Sequence, residues 1–121
     1  FGRGGEEAEV LRAAGVEVRI VHGITSGLAA ASALGAPLTH REHAHGVVFV
    51  TGHAKAGEDT TDWGALAATA RDCKLTLVIY MGISGVCQIQ QGLLKSMPAN
   101  MPAAVVQAAS TPHQREVRGS L

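Results

Sequence analysis

Aromatic residues make up only 3% of this 121-residue sequence, as one Trp, one Tyr and two Phe. A core must therefore be aliphatic, built from Val, Ile, Leu and Ala, and the stacking platforms that hold single-stranded nucleic acid are missing. Neither sign of charge dominates, because ten Lys and Arg balance ten Asp and Glu. No net field then steers the chain to DNA, RNA or an anionic surface, so neither nucleic acid nor a membrane is an expected partner. The two cysteines, Cys73 and Cys87, stand too far apart for a CxxC motif. No secretory leader and no apolar run of membrane-spanning length is evident, and a reducing cytoplasm is the expected compartment. Phe1-Gly2-Arg3 carries no initiator Met, so the sequence reads as the middle of something longer.

Several catalytic signatures are also lacking. Gly2-Arg3-Gly4-Gly5 is like an anion-binding loop at a helix start, but Glu7 stands where GxGxxG requires its last glycine, and no phosphate-binding lysine follows. Ser26 and Ser84 lie outside any GxSxG, which removes support for acyl-enzyme chemistry. His40, His43, His45 and His53 match neither HExxH nor a finger pattern, and no cysteine lies near them, so no metal is expected. Two charged groups keep two readings open. Arg3 offers forked donors for a carboxylate and Glu6 a group to orient it or take a proton, while both equally suit a solvated helix start.

What is present is an alternation of strand and helix patterns, with 46% hydrophobic residues for a core. Helical spacing of Val10, Leu11 and Ala14 predicts a short helix over Ala8 to Ala14, stopped by Gly15. The β-branched run Val16 to Val21 predicts a strand that turns at His22-Gly23 into an Ala-rich helix opened by Thr25-Ser26 and closed by Gly35-Ala36-Pro37. The small residues of that helix allow a close approach, and its start offers hydroxyls and unpaired amides to a polar ligand. Strands are predicted at Gly46 to Val50, Thr76 to Tyr80, Ala103 to Gln107 and Gln114 to Arg118, with Ala54 to Thr61 a mobile loop. Helices are predicted from Trp63 to Arg71, capped by Asp62 with Trp63 as its core anchor, and from about Ser84 to Ser96. The second of these is expected to bury Val86, Ile89, Leu93 and Met97. The fold class is α/β: an α/β/α sandwich with a mixed, largely parallel sheet whose last two strands, too closely joined for a crossover, run antiparallel. Ligands in such sheets collect at carboxyl strand ends, here Val21, Val50 and Tyr80.

In order along the chain, FGRGGEE (Phe1 to Glu7), GITSGLAAA (Gly23 to Ala31), PLTHR (Pro37 to Arg41), VTGH (Val50 to His53), Asp62-Trp63, LVIYMG (Leu77 to Gly82), STPHQR (Ser110 to Arg115) and GSL (Gly119 to Leu121) resemble the tetrapyrrole (precorrin) methylase family. The resemblance runs over nearly the whole chain. It implies S-adenosyl-L-methionine as methyl donor and two α/β/α domains flanking a cleft, usually in a homodimer. Residues 1–22 would then be the tail of the first domain and residues 23–121 most of the second. The reaction it implies is C-methylation of uroporphyrinogen III at C2 and C7, giving precorrin-2 on the way to sirohaem or cobalamin. Methylation at another ring carbon and a purely dimerising or binding half-enzyme are the rival readings.

Position by position, the resemblance assigns Thr25, Ser26, Met81 and Ala109 to cofactor binding. It assigns Arg3, Glu6, Arg41 and Met81 to the polycarboxylate substrate, with Arg3 and Glu6 also supporting methyl transfer, and makes His53 a pocket-lining neighbour. Three departures are visible. His22 replaces a usual proline, Gly57 to Leu75 is longer than the family pattern, and Ala108-Ala109 replaces a usual Asn-Gly, where an alanine at 109 adds a methyl group, resists positive φ and is expected to alter that wall of the cofactor site.

Overall fold

The computed structural model describes residues 4–53 and 61–121. Arg3 and the predicted loop at Ala54 to Thr61, apart from Thr61 itself, lie outside the described residues. Helix α1 (Gly4–Ala13) begins four residues before the periodicity predicts, with Glu6 and Glu7 in its first turn, where carboxylates complement the helix dipole. Helix α2 (Ser26–Leu34) ends on Gly35 at φ 63°, and the Gly35 and Ala36 amides donate back to the Ser32 and Ala31 carbonyls at 3.1 Å. Only a residue tolerant of that left-handed conformation closes the helix so sharply.

Strands β1 (Gly46–Thr51) and β2 (Leu75–Tyr80) pair in parallel from Gly46 opposite Leu75 to Thr51 opposite Tyr80. The crossover between them contains α3 (Trp63–Asp72), started by Asp62 Oδ1 accepting from the Ala65 amide at 3.0 Å. At the other end of α3, Arg71 donates to Asp72 at 2.8 Å and to the Ser96 carbonyl at 2.9 Å. The bond from Arg71 holds the Asp72 carboxyl below its ordinary pKa. Strand β2 passes through a 3-10 turn, Ile83–Gly85, into α4 (Val86–Leu93). Strands β3 (Pro102–Gln107) and β4 (Arg115–Ser120) pair antiparallel, as their short connection requires.

Period-two alternation sorts the β1–β2 pair into two faces. Leu77 and Ile79 face the core cluster of Ala67, Ile89 and Leu93 from α3 and α4, joined by Trp63, Met97 and Leu121. Phe49, Val78 and Tyr80 face α2, where they crowd Gly27. The parallel pair is thus covered on both faces, and apart from Thr51, Thr76 and the Tyr80 hydroxyl its strands are apolar, as such burial requires.

Three expectations change. Val16 to Val21 forms no ladder among the described residues, and Ile20 and Val21 are 73% and 89% exposed. A β-branched run becomes a strand only where a neighbouring edge receives its amides and carbonyls. The α/β class holds, but among the described residues its strands pair as two separate two-stranded ladders, β1–β2 parallel and β3–β4 antiparallel. The helix expected to reach Ser96 stops at Leu93, and Val86 is 47% exposed because it opens the helix beyond the rim of the core. The positive φ falls on Ala108, at 49°, and Ser110, at 65°, with Ala109 between them outside that region.

Candidate functional site at the strand ends

The carboxyl ends of β1 and β2 and the start of α2 are joined by one side chain, Tyr80. Its hydroxyl lies 2.5 Å from Thr25 Oγ1 and accepts from the Gly27 amide at 3.1 Å. Thr25 therefore occupies the N-cap position without capping through its side chain, and the hydroxyl of β2's last residue does that work instead. The expectation of unpaired amides at this helix start is corrected at Gly27. A Cβ on Gly27 would stand 2.5 Å from the Tyr80 hydroxyl and 2.7 Å from Val78, so a side chain there would lift α2 off the sheet.

On the opposite face the two strand ends close on each other. The Gly52 amide donates to the Tyr80 carbonyl at 2.6 Å, continuing the ladder one residue past β1. A Cβ on Gly52 would lie 2.7 Å from Gly82 Cα and 3.0 Å from Ile89. Between these contacts sits Met81, at φ 55° and 64% exposed. A non-glycine residue in the left-handed region costs about 1 kcal/mol or more and persists only where its surroundings impose it. Here the turn between β2 and the 3-10 segment imposes it, and it leaves a polarizable apolar side chain open to a ligand.

Tyr80 thus ties the start of α2, with Thr25 half-buried and Ser26 exposed, to the end of β2, which Met81 follows in sequence. Ala109 stands apart in sequence and ladder, half-buried in the β3–β4 connection. That ladder reaches α2 at its far end, where Arg118 donates to the Leu34 carbonyl at 3.0 Å. Glu6 is exposed in the first turn of α1, and Arg41 is exposed in the turn before β1. Arg41 borders a hollow of about 410 Å³ with Thr39, His40, Ala44 and His45. A second hollow, of about 470 Å³, lies between the start of α3 and α4, lined by Asp62, Trp63, Gln88 and Lys95 among others. Neither hollow is lined by Thr25, Ser26, Met81 or Ala109. His53 is exposed just past the end of β1.

Tyr80 is the residue that sequence reasoning passed over, treating it only as the end of a strand. Its signal was its rarity. The single tyrosine of the chain closes a strand one residue before Met81, where a half-buried ring with a polar tip needs a partner.

A parallel α/β pair covered on both faces, with a helix start and glycine-lined turns at its carboxyl edge, defines the class of α/β domains that place ligands at strand ends. The family model for Tetrapyrrole (Corrin/Porphyrin) Methylases matches residues 1–121, and the chain belongs to that family. It is 45% identical over 122 residues to a siroheme synthase of Nitrosomonas europaea, covering all of this chain and 25% of the relative. It is 48% identical over 123 residues to a siroheme synthase of Gluconobacter oxydans, again covering 25% of that protein. The native uroporphyrin III C-methyl transferase of Thermus thermophilus superposes with TM-score 0.81 at 37% identity, over 99% of this chain and 49% of that one. The same enzyme complexed with S-adenosyl homocysteine gives TM-score 0.80 over 51% of its chain. A cobalt precorrin-4 methyltransferase, at 24% identity and TM-score 0.82, shares the fold. The chain spans about a quarter of the length of its curated relatives and about half that of the solved ones. No helix among the described residues is long and apolar enough to cross a membrane.

Proposed function

We propose that this chain is the carboxyl-terminal half of a uroporphyrinogen-III C-methyltransferase. The full enzyme transfers methyl groups from S-adenosyl-L-methionine to C2 and C7 of uroporphyrinogen III, giving precorrin-2 for sirohaem synthesis. The observation that carries the reading is the likeness, at 37% identity over 99% of this chain, to the Thermus enzyme. Its ligand-bound form holds the demethylated product of the expected donor. The strand ends offer groups that suit that donor: Ser26 is exposed at the start of α2, Met81 is exposed just past β2, and Tyr80 ties the two elements together.

When bound, the donor supplies an electrophilic sulfonium methyl, and the macrocycle carbon is the nucleophile. The protein's task is then positioning and exclusion of water. Thr25, Ser26, Met81 and Ala109 are assigned to the donor. Arg41 and Glu6, with Arg3, are assigned to the anionic macrocycle, Arg3 and Glu6 also assisting transfer. Residues 1–22 form the tail of a first domain and residues 23–121 most of a second, in a cytoplasmic homodimer. Radiolabelled methyl transfer to uroporphyrinogen III by the native-length protein tests the reading. Label at C2 and C7 is expected, and label confined to another ring carbon, or none, overturns it.

A further inference from the structure

The turn between α2 and β1 holds a group of ligating side chains that the strand-end site does not use. Among the described residues, His40, Glu42 and His43 each present one ligand atom, all within 4.8 Å of one another. Their backbone is fixed. The His40 amide donates to the Ala44 carbonyl at 2.7 Å, and the Ala44 and His43 amides return to the His40 carbonyl at 3.0 and 3.2 Å. The next residue anchors the turn to the sheet, since the His45 amide donates to the Lys74 carbonyl at 2.7 Å. On this frame the His40 and His43 rings stack, with centroids 4.7 Å apart and planes at 16°, and His43 Nε2 lies 4.0 Å from Glu42 Oε2.

We propose that His40, Glu42 and His43 form a binding site for a divalent cation of the zinc, nickel and copper group. Two imidazole nitrogens and one carboxylate oxygen are the donor set such borderline cations prefer, whereas calcium and magnesium take oxygen almost exclusively. Ligand atoms 4.8 Å apart close to coordinating distance by side-chain rotation alone, and the side chains of Glu42 and His43 are each 76% exposed, so nothing obstructs that rotation. What must be given up is exposed: the 3.2 Å bond from the Glu42 amide to His40 Nδ1 and the stacking of the two imidazole rings, which turn edge-on to share an ion. Three protein ligands leave further positions to water or to an anionic molecule. The spacing escapes helix-based motifs because the turn adds residue i+2, Glu42, which on a helix would face away from i and i+3.

Calorimetric titration of the chelator-treated protein with Zn²⁺, with Co²⁺ absorption as a second readout of the ligand field, tests the site. A single saturable equivalent is expected for the unaltered protein. His40→Ala and His43→Ala are each expected to weaken it more than about 10-fold, the loss that even an outer-shell partner produces. His22→Ala and His113→Ala, elsewhere on the surface, are expected to leave the isotherm unchanged. Glu42→Gln, which keeps the side chain's size and removes its charge, serves if an alanine variant fails to give the native circular dichroism spectrum. Absence of saturable binding, retention of full affinity in the His40 and His43 variants, or equal loss in the His22 and His113 controls overturns the proposal.

Discussion

At the scale of single residues, Tyr80 and Met81 are neighbours with opposite energetic roles. Tyr80 stabilises. Its hydroxyl satisfies the Gly27 amide and the Thr25 hydroxyl, and Tyr80→Phe leaves both without that partner. Loss of about 1–2 kcal/mol is expected, read from chemical denaturation, together with a loosened start of α2 visible as faster amide exchange at Gly27. Met81 destabilises, because its φ of 55° is one that glycine adopts without a Cβ clash. Met81→Gly is therefore expected to stabilise the fold by about 0.5–1 kcal/mol while weakening S-adenosyl homocysteine binding by the native-length protein. A variant that loses both stability and affinity would show that Met81 is a packing residue. The same reasoning applies to Ala108-Ala109. A sequence reveals that a usual Asn-Gly is missing, but which of the two alanines carries the positive φ is decided by how the β3–β4 turn closes, and it is Ala108.

At the scale of elements, sequence legibility followed whether an element's partner was local. Helix α3 declares itself through Asp62 and its 3.6-residue apolar face, and β2 through an apolar run broken only at Thr76, because burial on both faces is written into composition. Val16 to Val21 has the same composition as a strand yet no ladder, since pairing depends on an edge that composition cannot supply. The candidate site divides in the same way. Thr25, Ser26 and Met81 are singled out in sequence as residues that follow apolar runs, whereas the Tyr80 bridge spans 55 residues of sequence to Thr25 and has no local signature. The most sensitive joint between elements is where β1 and β2 end together. Gly52→Ala would put a Cβ 2.7 Å from backbone at Gly82, which cannot rotate away as a side chain could. It is expected to cost about 1–3 kcal/mol in thermal unfolding and to displace Met81 with the turn. Unchanged stability would mean that the strand ends separate freely and do not define a fixed wall.

At the scale of the whole molecule, the distribution of exposed apolar surface bears on how the proposed activity is assembled. Ile20, Val21 and Ile24, close together before α2, are 73%, 89% and 84% exposed, the highest among the large apolar side chains of the described residues. Residues of this kind gathered in one part of a chain mark a surface that another body covers. The solved relatives are about twice as long as the matched region, so under the proposed reading the covering body is the remainder of the methylase. That remainder would also supply the cleft wall opposite Thr25 and Met81. A ligand held on one side keeps much of its surface in water, and affinity falls accordingly. The 121 residues alone are therefore expected to bind S-adenosyl homocysteine at least about 10-fold more weakly than the native-length protein, and to transfer no radiolabelled methyl group to uroporphyrinogen III. Equilibrium dialysis and the transfer assay, run on both forms, check the two halves of the expectation separately. Equal affinity with no transfer would place the whole donor site on this chain and only the macrocycle's site elsewhere. Turnover by the chain alone would show that the exposed residues before α2 serve self-association, with a second copy completing the cleft.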